Sequence, residues 1–383
     1  VVLLSPSAWS YGQALAAPGN TALTVRSVDW LRDHHFRWLV NDVENFWYNH
    51  HKPKKGGTPT GQLAQTFDHN ARTATGSASA SSGNTHGGSS STTQPKHLRA
   101  PAPIQPIATP PIAGEGQWHP LGQPVQGVPA MYAAYLRPDP VHTSLVTGVA
   151  WVDPLLVRAV LYAGVMEPGG GGWQYQGSVA PTDRSNLLAA FNSGFKLKDS
   201  QGGYYAEGRV VRPLRPGVAT LLIRADGTPT VGELGRDFQM GPDVAYARQN
   251  LSLIVDNGQP APDITRNNQA KWGATLGNNV FVWRSGVGVT ADGALVFVGG
   301  NGLSAASLAG VMARAGAVRA MELDINPGWV HFNVFGPPTA GQPSTTPSVA
   351  YLLPDMGGPL HRYVDSTPNG QNGHDFVALF RRS

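Results

Sequence analysis

The stretch SAASLAGVMARAGAVRAMELDIN, Ser304 to Asn326, decides the fold class. Ser304 can cap a helix in which Leu308, Val311, Met312 and Ala315 share one face, and Gly316 can end it. Val318 to Asp324 then reads as a strand with no room for a crossover. Outward from this unit the dominant signal is the short strand bounded by turns: Ser144–Val152, Leu155–Ala163, Leu187–Phe191, Ala219–Arg224, Leu251–Val255, Val280–Trp283 and Leu295–Val298. Two Asp-Gly turns, Asp226-Gly227 and Asp292-Gly293, each join a pair of apolar runs into a hairpin. One helix among many hairpins predicts a mixed, hairpin-rich α+β body rather than a regular βαβ series.

That body is expected to fill 114–383, and what precedes it reads differently. The opening Val1-Val2-Leu3-Leu4 reads as the remnant of a signal or anchor segment extending to 23. From Thr24 to Tyr48, Val28, Leu31, Trp38, Leu39, Val43, Phe46 and Trp47 recur at helical spacing, with Ser27 as an expected cap. An amphipathic helix over 24–51 could lie on a membrane surface or pack on protein. Residues 52–113, rich in Gly, Ser and Thr and then in Pro, predict a disordered tether. On that layout a fragment beginning near Gly114 should melt like the whole chain.

Composition narrows the chemistry. The 383 residues contain no cysteine, which excludes disulfides, thiol catalysis and Cys-ligated metals. A net charge of +4 over that length is a weak field, and no basic run supports nucleic acid as a partner. Neither a dinucleotide fingerprint, a P-loop, a nucleophile elbow nor a zincin motif is present.

The candidate site residues cluster at strand ends. On a strand, Glu322 and Asp324 would point to one face about 6.5–7 Å apart, a pairing that fits a bound cation, a partner Arg or acid/base chemistry. Asn326 follows in a turn, and with the two acids offers oxygen ligands suited to calcium or magnesium. Trp329 could stack on a sugar or close the core. Asn192, where a buried strand breaks at Asn192-Ser193-Gly194, could orient a ligand hydroxyl. Arg284 with Ser285 could fork onto phosphate or pair with one of the acids. Glu207 sits beside Tyr204 and Tyr205 in a glycine-lined loop, while Asp256 and Glu167 form a reserve of acids.

In order along the chain, Asn192-Ser193-Gly194-Phe195, Arg284-Ser285-Gly286-Val287-Gly288 with Asp292-Gly293, the capped helix and Leu323-Asp324 resemble the motifs of the phosphodiester glycosidase family. The resemblance runs from about Leu145 to Phe335. It departs at Ile325-Asn326-Pro327-Gly328, where members typically carry Gly-Gly-Gly-Ser, and at Glu322, usually a neutral residue. It implies a hydrolase acting on a sugar-1-phosphodiester or related glycosidic bond, with Asp324 and Glu322 catalytic and Arg284, Ser285, Asn192, Asn326, Trp329 and Glu207 binding substrate. The tether and helix look like those of exported actinobacterial members, which implies a cell-surface location and an envelope glycan as substrate. The altered loop keeps open a second expectation, a non-catalytic glycan-binding module relying on Trp329, Tyr204 and Tyr205.

Overall fold

The computed structural model describes residues 4–36, 40, 52–68, 95–275, 278–343, 345–356 and 362–382. Among these, three antiparallel sheets and one three-turn helix make up the body, a mixed α+β architecture rich in hairpins. The first sheet runs β1 (His119–Pro120), β2 (Met131–Leu136), β3 (Thr147–Val152), β14 (Leu295–Leu303), β13 (Val282–Thr290), β15 (Ala317–Glu322), β11 (Leu253–Asp256) and β12 (Gln259–Pro260). The second runs β7 (Arg209–Arg212), β6 (Tyr204–Ala206), β10 (Val244–Gln249), β8 (Ala219–Arg224) and β9 (Pro229–Glu233). The third runs β17 (Ser348–Tyr351), β16 (Phe332–Gly336), β5 (Leu187–Asn192), β18 (Phe376–Arg381) and β4 (Val157–Tyr162).

Period-two alternation in β14 shows how the layers are assembled. Val296 and Val298 face one cluster with Leu308, Val311 and Met312, whereas Leu295 and Phe297 face another with Phe191 and Phe332. The first sheet therefore packs the long helix on one face and the third sheet on the other. Phe191 stacks on Phe332 at 5.8 Å, and Phe297 tilts against both. Both Asp-Gly hairpins form, as β8–β9 and β13–β14. β13 is longer than the expected strand because Arg284-Ser285-Gly286-Val287-Gly288 continues the ladder. A Cβ at Gly288 would lie 2.6 Å from the Arg319 carbonyl oxygen and 3.0 Å from Met312 Cε. These glycines admit neighbouring backbone and the helix rather than making a flexible loop.

Ahead of the body the described residues include α1, Leu4–Leu15, and α2, Leu23–Asp33. They pack as a hairpin, with Tyr11 tilted against Trp30 at 5.0 Å. Buried Arg26 fastens the connection by donating to the carbonyls of Leu15, Gly19 and Thr21. Ser27 is no cap; α2 starts after Ala22, and the Ser27 hydroxyl donates to the Leu23 carbonyl inside the helix. Trp38, Leu39, Val43, Phe46 and Trp47 lie outside the described residues, as does most of the Gly/Ser/Thr stretch, 69–94. The hairpin is docked: Gly19 and Asn20 N–H groups donate to the carbonyls of Pro368 and Gln371. No described helix is long and apolar enough to cross a membrane.

The Pro-rich half of the expected tether is packed on the body, a correction with a clear physical cause. Ile104 and Ala108 are buried, Leu98 N–H donates to Asp153, and Ile104 N–H donates to the Gly116 carbonyl. Glu115 and Arg137, both buried, form a multiply bonded ion pair, and Arg137 also donates to the carbonyls of Ala108 and Pro110. Proline removes donors from the segment, and several of the remaining backbone groups, Leu98 and Ile104 N–H and the Ala102, Ala108 and Pro110 carbonyls among them, are served by the body. Upstream, Phe67 is fully buried in the main core. Truncation to Gly114 should therefore lower the melting temperature by more than about 3 °C, since burying Ile104 alone is worth about 1.5–3 kcal/mol. Thermal melts of the whole chain and the fragment check this; equal melting temperatures would restore the tether.

Candidate active site

The site forms where three strand ends meet. β5 ends at Asn192, and Ser193 is held from both sides: its carbonyl accepts from Asp324 N–H at 3.1 Å, and its N–H donates to the Asp375 carbonyl at 3.3 Å. Asp324 lies just past β15 and Asp375 just before β18, so the ladder that continues β5 brings two acids from distant sequence to one residue. Asn192 Nδ2 donates to Ser285 Oγ, Ser285 Oγ donates to the Asp324 carbonyl, and Asn192 Oδ1 accepts from His331 N–H. Ser285 is thus a fully buried tie between strands, and Asn192 a partly committed wall of the site.

Around Ser193 lie Gly194, Asp324, Trp329, Arg362, His374 and Asp375, enclosing a cavity of about 10 Å³, room for about one water. Burial pushes the Asp324 carboxyl up to about 7, against the pull of the Asn326 and Ile325 N–H groups and of Lys196; Asp375 adds to the rise. Asp375 instead receives Arg248 Nε at 2.9 Å, and both partners are buried. Glu167 is raised by burial and by Asp375, and its carboxylate accepts a long bond from Leu197 N–H. His374 is tilted on Trp329 at 3.7 Å, and burial, then the surrounding cations, pull its pKa well below 6.5. Its neutral imidazole can exchange hydrogen bonds without adding a charge. Ser193 Oγ and His374 Nδ1 are buried with no partner among the described residues, which marks them as ligand or water positions.

Arg362 is the buried cation of this cavity. It donates to the Gly328 carbonyl and Asn372 Oδ1, its Nε has no partner, and no described carboxylate pairs with it. A guanidinium so placed is suited to a phosphate or carboxylate.

Several expectations need correcting. Glu322 does not share the cavity with Asp324: β15 ends at Glu322, whose carboxylate is fully buried on Arg284. Arg284, spent on Glu322 and on the Trp272 and Leu303 carbonyls, is not free to hold an anion. Glu207 is a turn residue whose carboxylate accepts from Gln174 and Tyr175 N–H groups, away from the cavity. Asn326 closes the turn after Asp324, its N–H on Asp324 Oδ1 and its own Oδ1 on Gly328 N–H. Tyr204 is buried in the core and shows no face to a ligand, while Trp329 does line the cavity. The calcium or magnesium set is dispersed in the same way, and no group of three His, Asp or Glu suited to a metal occurs among the described residues.

Asp375, His374, Arg362, Arg248 and Lys196 were missed. The signal for His374 and Asp375 was the polar run Asn372-Gly373-His374-Asp375 immediately ahead of the apolar FVALF, an acid at a strand end like Asp324; Arg362, Arg248 and Lys196 carried no such signal.

Residues 177–324 match the sequence model of the phosphodiester glycosidase family. This segment belongs to that family. The phosphodiester glycosidase match ends on Asp324, so it supplies Asn192, Ser193 and Arg248, whereas Trp329, Arg362, His374 and Asp375 come from beyond it. The family is one of glycosidase-type hydrolases, and the resemblance read from the motif order holds over this stretch. Among solved structures, the zebrafish N-acetylglucosamine-1-phosphodiester alpha-N-acetylglucosaminidase catalytic domain, auto-inhibited by its pro-peptide, is 16% identical, with 70% of this chain and 88% of that chain covered and a TM-score of 0.43. A hypothetical protein from Synechocystis is 11% identical over 62% and 59% of the two chains, TM-score 0.34. A putative exported protein from Burkholderia pseudomallei is 14% identical over 64% and 75%, TM-score 0.33. No curated protein matches the chain.

Proposed function

We propose that the protein is an exported hydrolase that cleaves a sugar-1-phosphodiester, or a related glycosidic bond, in cell-envelope glycan. The observation that carries the reading is the pair of acids flanking Ser193 in unlike surroundings: Asp324, raised to about 7 by burial, and Asp375, bonded to Arg248. Two carboxyl groups whose environments differ in this way suit acid and base roles. Asp324 hands its proton to the oxygen leaving C1 while Asp375 takes one from the attacking water; the C1–O bond breaks and a C1–OH forms. Once the docked α1–α2 hairpin has drawn back and opened the cavity, Arg362 faces the phosphate, and Trp329 with Asn192 orients the sugar.

The pH dependence tests it. If Asp324 must be protonated, kcat/KM for a sugar-1-phosphodiester should fall as pH rises through about 7, and Asp324→Asn should abolish that limb. The same shift makes the fold less stable as pH rises from about 4 to about 7, because native Asp324 keeps a proton that the unfolded chain has released. A panel of sugar-1-phosphodiesters and envelope glycans, assayed across this range, decides the matter. Binding without turnover on every member would favour the glycan-binding module.

A further inference from the structure

Lys196 and Lys198 follow the cavity wall at Gly194 by two and four residues, on the single helical turn that leaves the site. Among the described residues, neither ammonium is paired within the body. Lys196 Nζ lies 2.5 Å from Asp29, and Lys198 Nζ lies 2.7 Å from Asp33. Asp29 and Asp33 stand four residues apart on α2, on one helix face. The rest of the hairpin follows the site's edge: a Cβ at Gly328 would sit 3.6 Å from Val25 Cγ2, and one at Gly373 would sit 2.8 Å from Thr21 Oγ1. α2 thus lays two carboxylates, one helical turn apart, on two lysines at the mouth of a cavity too small for a sugar. The Lys196 ammonium also acts inward, drawing the Asp324 and Glu167 carboxyl pKa values down against burial.

We propose that Lys196 and Lys198 are the rim that recognises a second anionic group of the substrate, and that Asp29 and Asp33 occupy this rim until a polyanionic chain displaces them. The inference rests on the reading of the cavity as a phosphodiester-cleaving site, and names its substrate class: a polymer with repeated phosphate groups rather than an isolated sugar phosphate. Arg362 serves the group at the reacting centre, and the two lysines serve its neighbour along the chain. Both ion pairs are partly exposed, with side-chain exposures of 18% and 27% for Lys196 and Asp29 and 50% for each of Lys198 and Asp33. Such pairs are weak enough to exchange with a ligand and are weakened by salt.

Calorimetric titration of the full chain with short poly(glycerol phosphate), against neutral dextran oligosaccharides as control, tests this. Asp29→Asn with Asp33→Asn should tighten binding about tenfold by removing the internal competitor. Lys196→Gln with Lys198→Gln should lose it, and Lys196→Arg with Lys198→Arg should keep it; melting each variant verifies folding. Unchanged affinity in the Asn pair, binding that survives the Gln pair, or no binding by any variant overturns the rim. If the binding pattern appears but no sugar-1-phosphodiester is turned over, the rim stands and the catalytic reading falls. Turnover with binding unmoved by the lysine changes has the reverse meaning.

Discussion

Asp375→Asn is expected to lower turnover of a sugar-1-phosphodiester by about 10²–10⁴-fold, the usual worth of a positioned general base. The substitution is nearly isosteric, and the amide oxygen can still accept from Arg248 Nε, so the cavity should keep its shape. The effect should therefore appear in kcat rather than in KM. Glu322→Gln is the contrasting variant: its side chain lies on Arg284 beneath the site, and turnover per folded molecule should remain close to that of the parent. Steady-state kinetics on both, normalised to folded protein, separate the two acids. Near-normal kcat in Asp375→Asn would remove it from the mechanism, and a large loss in Glu322→Gln would return the role to the acid that the strand pattern first suggested.

The second large effect is on stability. Arg284→Met strands the Glu322 carboxyl in the core, where burial already raises its pKa despite the guanidinium beside it. Removing one partner of a buried pair costs about 3–5 kcal/mol. Its sign with pH follows from the direction of that shift. Without Arg284 the folded-state pKa of Glu322 rises further above its unfolded value, so stability is retained below the unfolded pKa and lost as pH climbs through the folded one. The gap between variant and parent should widen from acid to neutral pH. Adding Glu322→Met should recover most of the loss, since two apolar side chains leave no charge to solvate. Denaturant titrations at acid and neutral pH measure this; a gap independent of pH would mean the cost is one of packing.

What the sequence disclosed about this site was local. Asn192 and Asp324 were legible because each breaks an apolar run at or just past a strand end, Trp329 because it closes the Asn-Pro-Gly turn that follows, and the helix from Ser304 from its cap and its 3.6-residue apolar spacing. The expected pairing of Glu322 with Asp324 failed because alternation holds only while a strand lasts. The strand ends at Glu322, and Asp324 turns to bond Ser193. Asp375 and Arg362 were not legible as partners of Asp324, because β18 joins β5 from almost 200 positions away and no periodicity records which strands become neighbours. Arg284 illustrates the same limit: a strand-end arginine followed by glycines reads as an anion site until the acid beneath it is seen.

The Pro-rich strap has a consequence for how the molecule opens. Arg137 is buried and shared between Glu115 and the strap carbonyls of Ala108 and Pro110, so peeling the strap away would leave a guanidinium half-satisfied just past the end of β2. Local release is therefore about as costly as opening the edge of the first sheet. The amides of Ile104 and Gly116, bonded across the strap and to Tyr135, should exchange with deuterium only as slowly as the sheet's own amides. Strap and body then melt as one cooperative unit, and calorimetry sees one transition where a bead on a string would give none to the string.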